Sequence, residues 1–268
     1  MTADPSAIAA TIVQARRAAT GLPDFPGAPP QDLSEAYAIQ TAARALWGDR
    51  VAGWKVGRIT GAAEQRLGKN RFIGPIFATS VSSVEAGGHA SFPIIPGGSA
   101  ALESEVVAVL AQDVEPRRAD WGREDVADLL SALHIGIEVA GCPVARINML
   151  GPLASIAAFG NNLALILGPA IADWRGVAVD DIACRTSIND ELTGEAVAGQ
   201  LPGGPFEAVA FALNQAAELG IPLPAGSLLS TGAITGVHPI DLGQEASADF
   251  GRWGRIDCRT VPLMGSHG

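Results

Sequence analysis

The run "SALHIGIEVAG" constrains the fold of this chain more than any other stretch. Leu133, Ile135, Ile137 and Val139 alternate with His134, Gly136 and Glu138, the period-two pattern of a strand with one buried face. The opposite face carries little bulk and an acid in mid-strand. Glycine inside a strand is a recognised place for another group to approach the backbone. Glu138 needs a partner there, and Arg146 is one candidate.

A second run, "ALESEVVAVL", sharpens the problem. In an extended chain Ala101, Glu103, Glu105, Val107 and Val109 share one side, and Leu102, Val106, Ala108 and Leu110 the other. Two carboxylates at that spacing repel, and each is costly to desolvate, so the pair needs water or a cation. A wet sheet edge, where charge discourages unwanted pairing, is one solution. A divalent ion is the other. Glu103, Glu105 and Glu138, with no cysteine nearby, make a hard oxygen-rich set that suits Mg²⁺ or Mn²⁺ and leaves positions open for water and substrate.

Composition narrows the remaining choices. At 268 residues and 48% hydrophobic content the chain can fill one large domain or two small ones. A formal charge of −10 offers no basic field to a phosphate backbone, so nucleic acid is not an expected partner. Cys142, Cys184 and Cys258 are few, odd in number and widely spaced, which suits reduced thiols rather than a disulfide framework or a zinc cluster. Apolar runs stop short of membrane-spanning length, and "MTADPSAIAATIVQARR" lacks the order of a signal peptide. A cytoplasmic location without membrane contact is the expectation.

Turn chemistry divides the chain. "GLPDFPGAPP" separates two expected helices, the second capped by Asp32 or Ser34 and carrying Ile39, Ala43 and Leu46 at helical spacing. After Gly53 short β-like runs follow: "GWKVG", "RFIGPIF", "SALHIGIEVAG" and "LALILG". "PFEAVAFALNQAAELG" reads as a helix between Pro205 and Gly220, with Phe206, Val209, Leu213 and Ala217 along one face. "PAGSLLSTGAITG" reads as a turn, a strand and a glycine-rich exit. Strands do not alternate regularly with helices, which favours an α+β class over a doubly wound fold. The glycines and lysine of "GWKVGRITG" are not in the order of a phosphate loop.

Taken in order, "GWKVG", "ALESEV", "GIEVA", "LGPLASIAAFGNNLALILG" and "GSLLSTGAITG" resemble the 2-keto-4-pentenoate hydratase branch of the fumarylacetoacetate hydrolase (FAH) superfamily over nearly the whole chain. The most specific part is the E-x-E pair followed by a strand-borne Glu. The resemblance implies a β-rich FAH-type catalytic domain over residues 53–268, with a helical segment at 1–52 packed on it. It implies a divalent ion on Glu103, Glu105 and Glu138, chelated by a 2-oxo acid. Relatives of this kind commonly form higher oligomers, so a homo-oligomer is expected.

The activity implied is a hydratase, a lyase acting on an unsaturated 2-oxo or 2-hydroxydienoic acid in the catabolism of aromatic compounds. Lys55 matches the lysine such hydratases carry near the substrate; its alternative is a surface lysine. Ser230 and Thr231 could offer hydroxyls and amides to a carboxylate, or simply end a strand. Asn161 and Asn162 could orient substrate or water, or close a turn.

Three departures from the family pattern bear on proton transfer. Phe72 and Ala158 stand in segments where relatives offer aspartates, and "EVAGCPVARI" replaces the familiar E-I-V-D-S-R. His134, on the polar face of its run, is a possible substitute acid–base group or a packed histidine. A decarboxylase of 2-oxo-3-enedioates is the alternative enzyme, and a non-catalytic acid-binding relative the alternative outside catalysis. The superfamily's C–C hydrolases fit less well, because no His–Glu water-activating pair can be placed near the N-terminus.

Overall fold

Asp4 and Asp32 start the helices that open the chain. In the computed structural model, which describes residues 4–85 and 87–265, the Asp4 carboxylate accepts from the Ser6 amide at the head of α1 (Pro5–Arg17). Asp32 accepts from the Glu35 amide at the head of α2 (Leu33–Trp47), which stops at left-handed Gly48, φ 77°. Such caps satisfy amides that the first turn leaves free. The two helices pack on each other. Ile39 and Ala43 are buried as expected, but Leu46 is 46% exposed and falls off that face.

The strands follow as β1 (Val51–Arg58), β2 (Arg71–Phe77), β3 (Val81–Ser83), β4 (His89–Ile94), β5 (Ser99–Leu110), β6 (Leu130–Cys142) and β7 (Asn162–Ala170). The chain continues through β8 (Ala183–Ile188), β9 (Glu191–Val197), β10 (Leu228–Ser230), β11 (His238–Pro239), β12 (Glu245–Asp249) and β13 (Arg255–Pro262). Helices α3 (Gly61–Leu67), α4 (Ile147–Leu150), α5 (Pro152–Ala157) and α6 (Gly204–Glu218) lie between them. The larger sheet runs β2-β1-β10-β5-β6-β7-β3, with β11 also on β5; the smaller runs β4-β13-β12-β8-β9. This mixed α+β layout agrees with the sequence reading.

The alternation read from sequence decides what each face of the larger sheet does. Leu102, Val106, Ala108 and Leu110 of β5, with Leu133, Ile135, Ile137 and Val139 of β6, enter a core shared with Cys184, Ala246, Ala248 and Ile256 of the smaller sheet. The other face carries the glutamates. The sheet curls far enough for β2 to touch β7, and Ile76, Val107, Leu165 and Leu228 form a small apolar cluster there. α1 and α2 cover a second core that includes Phe77, Ala158 and Phe159. All three cysteines are buried and unbonded to one another. Among the described residues no helix is long and apolar enough to cross a membrane.

Candidate metal centre and active site

Antiparallel register sets Glu103 of β5 directly opposite Glu138 of β6, and Glu105 opposite Gly136. Like charges on opposed positions, with Cβ atoms about 4.5–5.5 Å apart, destabilise a sheet. Water does not relieve them. β5 lies inside the sheet, between β10 and β6, so the wet-edge alternative does not describe it. Glu105 and Glu138 are fully buried and Glu103 is 8% exposed. One oxygen of each carboxylate lies within 4.8 Å of the others.

Lys55 reaches the same place from β1. Trp54 and Val56 point into the main core, so alternation turns Lys55 to the glutamate side, where it is buried rather than a surface lysine. Its Nζ stands 3.0 Å from Glu138 Oε1. Asn162 Nδ2 donates to that oxygen at 3.1 Å. Glu105 Oε2 accepts from Ser230 Oγ and from the Gly232 amide, the latter at 2.8 Å.

These bonds occupy one oxygen each of Glu105 and Glu138 and leave the other bare. Glu105 Oε1, Glu138 Oε2 and Asn162 Oδ1 are buried without a hydrogen-bond partner among the described residues. Orphaned buried acceptors are uncommon because each forfeits its hydration. A hard divalent cation among three carboxylates would satisfy the two glutamate oxygens at once, so the residues present fit such an ion.

Electrostatics agree with that fit. Burial, opposed by Lys55 and reinforced by Glu138, pushes the Glu103 carboxyl up to about 7. Burial, then Glu138 and Glu103, pushes Glu105 well above the usual carboxylate range. Burial also works against the Lys55 ammonium, but Glu138, Glu103 and Glu105 outweigh it and raise the Lys55 pKa above the ordinary lysine range.

A cavity of about 740 Å³ opens beside this cluster, lined among others by Lys55, Phe72, Glu103, Asn161, Gly232 and Thr235. The Phe72 ring lies 5.7 Å from Lys55 Nζ, and a Cβ at Gly57 would collide with it. An aromatic wall thus stands where an aspartate was sought in the sequence. Ala158 is buried in the core under α1 and α2.

The structure separates the other expected site residues. Asn161 lines the cavity, its Oδ1 accepting from Ser99 Oγ at 3.2 Å. Ser230 holds Glu105, and Thr231 Oγ1 donates to the Val106 carbonyl at 2.8 Å; neither lines the cavity. The backbone amide of this segment that reaches a carboxylate is that of Gly232, and the carboxylate is Glu105. His134 is absent from the lining, and its Nδ1 is 2.9 Å from the Gly168 carbonyl oxygen. Four residue steps along the strand, about 13 Å, separate it from Glu138, and the β6–β7 pairing shifts register between His134 and Gly136. The space expected over Gly136 belongs to Val107, whose Cγ2 would lie 2.7 Å from a Cβ there. Arg146 faces Asp24 at the surface, 3.6 Å away, and is not the partner of Glu138.

Asn162 owes its place to an unusual turn. Phe159, Gly160 and Asn161 all have positive φ, at 57°, 68° and 58°. Left-handed backbone costs roughly 1–2 kcal/mol for each non-glycine residue, and such strain persists where the surroundings over-determine it. Gly160 sits so close to β2 that a Cβ would fall 2.6 Å from Gly74 Cα and 3.3 Å from Lys55 Cδ. "FGNN", a glycine between an aromatic and two asparagines, was the available sequence signal for this turn.

Residues 60–259 match the family model described as fumarylacetoacetate (FAA) hydrolase C-terminal. The 2-keto-4-pentenoate hydratase of Paraburkholderia xenovorans is 25% identical over 211 residues, which cover 77% of this chain and 76% of that protein. That of Burkholderia vietnamiensis is 25% identical over 77% of this chain and 78% of its own length. Among solved structures, 4-oxalocrotonate decarboxylase from Pseudomonas putida G7, complexed with magnesium and adipate, superposes with a TM-score of 0.79 at 21% identity, covering 96% of this chain and 97% of that one. Fumarylpyruvate hydrolase from Pseudomonas aeruginosa, in complex with Mn²⁺ and pyruvate, gives 0.55 at 18% identity over 80% and 91%. At these identities the structural likeness concerns the fold.

Proposed function

Because the chain belongs to the fumarylacetoacetate hydrolase family, we propose that it is a Mg²⁺- or Mn²⁺-dependent lyase that hydrates an unsaturated 2-oxo or 2-hydroxydienoic acid, such as 2-keto-4-pentenoate, in aromatic catabolism. The observation that carries this reading is the pair of buried oxygens without a partner among the described residues, Glu105 Oε1 and Glu138 Oε2, beside a cavity that Lys55 and Glu103 line. Glu103, Glu105 and Glu138 would hold the ion. When bound, it would polarise the 2-oxo acid's carbonyl and stabilise the enolate.

The chain's own residues supply the rest. Ser230 and Gly232 fix Glu105, while Asn162 fixes Glu138. Lys55, whose Nζ stands 3.0 Å from Glu138 Oε1 at the cavity, acts as a donor, holding the substrate carboxylate or feeding a proton to the developing enolate. Hydration then runs by ketonisation of the dienol and conjugate attack of water. Asn161, at the cavity wall, orients substrate or water.

Decarboxylation of a 2-oxo-3-enedioate is the second reading, and Phe72 favours it. An apolar ring lines the cavity, and loss of CO₂ needs no base at the departing carbon. Steady-state assays of both substrates with Mg²⁺ test the proposal. Turnover of the dienoate supports the hydratase, turnover of the enedioate alone supports the decarboxylase, and turnover of neither overturns both in favour of an acid-binding relative.

The same reading has residues 53–268 as the catalytic domain with 1–52 packed on it, in a cytoplasmic homo-oligomer. Its net charge of −10 suits a small-molecule substrate rather than nucleic acid or an anionic membrane surface. Sedimentation of the purified protein tests the oligomer.

A further inference from the structure

Arg16 sits on the wrong face of α1. Ile8 and Ile12 precede it at four-residue intervals and are buried, and Arg16 follows them inward to 3% exposure. It belongs to none of the ion pairs formed among the described residues. Burial draws its pKa down to about 10, which still leaves it a cation at neutral pH. Buried charge without a paired counter-charge is expensive, so its contacts matter.

Those contacts converge on the strained turn. The guanidinium donates from Nη1 to the Asn162 carbonyl at 2.7 Å and from Nη2 to the Leu163 carbonyl at 2.9 Å. Its carbon lies 5.1 Å from the Trp47 and Phe159 ring centroids and 5.5 Å from that of Phe77, within cation–π range. Arg16 therefore grips both ends of the left-handed run: the Phe159 ring at its start and two carbonyls just after it. From that run Gly160 meets Lys55, Asn161 walls the cavity and Asn162 holds Glu138.

We infer that Arg16 is a positioning residue of the metal centre, a clamp through which the N-terminal helix holds the Phe159–Asn162 turn and so the carboxylate of Glu138. The inference rests on the reading of the three glutamates as a metal site. It makes α1 and α2 working parts of that site rather than a cover. The planar fork serves two adjacent carbonyls and three rings together, which a lysine ammonium does not.

The control lies one residue away. Arg17 donates to the Leu46 and Trp47 carbonyls at 2.7 and 3.2 Å, tying α1 to α2 without touching the turn. Arg16→Met, Arg16→Lys and Arg17→Met are compared by calorimetric Mn²⁺ titration and by hydrogen exchange of the peptide spanning 158–165 in metal-stripped protein. Loss of a supporting group around a metal ligand typically weakens metal binding about 10–100-fold. That loss is expected for Arg16→Met, with partial recovery in Arg16→Lys, and with faster exchange at 158–165. Arg17→Met lowers the melting temperature and leaves both readouts at wild-type values.

Wild-type Mn²⁺ affinity and exchange in Arg16→Met would overturn the clamp. So would an equal effect of Arg17→Met, which would reduce Arg16 to general packing. If the wild type binds no Mn²⁺, the metal reading fails, and the exchange comparison still decides the clamp.

Discussion

Lys55 Nζ and Glu138 Oε1 lie 3.0 Å apart with side-chain exposures of 4% and 0%. A buried pair of this kind is weak evidence for stability, because desolvating two charges offsets most of their attraction. Here the pair is also unbalanced, with Glu103 and Glu105 adding two acids to one ammonium. The arrangement makes sense as a site completed by a second cation.

Replacing Lys55 with Met should lower turnover by about 10²–10⁴-fold at saturating Mg²⁺, the range for a positioned acid–base group. Mn²⁺ affinity should hold or rise, since Glu138 Oε1 loses a competitor. Steady-state kinetics beside a calorimetric titration check both halves. Unchanged turnover would return Lys55 to a structural role.

Ser230→Ala removes a donor from Glu105 while leaving the Gly232 amide in place. Mn²⁺ binding should weaken about tenfold, at the low end for such supporting groups, with a stability change of about 1 kcal/mol. Equal Mn²⁺ affinity in variant and wild type would separate Ser230 from the metal site.

Stability should fall with pH when metal is stripped. The folded protein holds the Glu103 proton to about 7 against a usual 4.5, so it binds more protons than the unfolded chain between those values. Stability is therefore lost as pH rises through that window, by up to about 3 kcal/mol from this group. Lys55, raised from 10.5, keeps its contribution throughout. Mn²⁺ selects the ionised carboxylates, so its gain in melting temperature should be larger at pH 8 than at pH 6. A gain that shrinks as pH rises would contradict the burial argument.

Phe72→Asp should shift product choice. A carboxyl beside Lys55 would assist proton transfer to carbon, and the ratio of hydration to decarboxylation should rise by about 10²-fold, the lower bound for such assistance. Competing-substrate assays read the ratio. No change would mean that the Phe72 position does not govern proton delivery.

Much of this site was legible in sequence because it is written in strand parity. Glu103, Glu105, Glu138 and Lys55 each stand beside residues that point to the core, and alternation alone puts them on the other face. What parity did not give was reach. His134 shares a nominal face with Glu138, but strand length and a register shift carry it to Gly168. Asn162 and Gly232 join the site only through pairing between distant segments. The smaller sheet was not singled out, since "ACRTSI" and "RIDCRTVP" mix core positions with charge. Arg16 had a local signal, a cation in the Ile8–Ile12 stripe, whose purpose appears only once β7 is in place.

The central claim is that Glu103, Glu105 and Glu138 hold one divalent ion. An anomalous difference map from crystals of the protein grown with Mn²⁺ tests it most directly. A single strong peak is expected, bounded by oxygens of all three glutamates, touching Glu105 Oε1 and Glu138 Oε2 and leaving coordination open toward the cavity. No peak at the cluster, with the carboxylates still packed around Lys55, would contradict it.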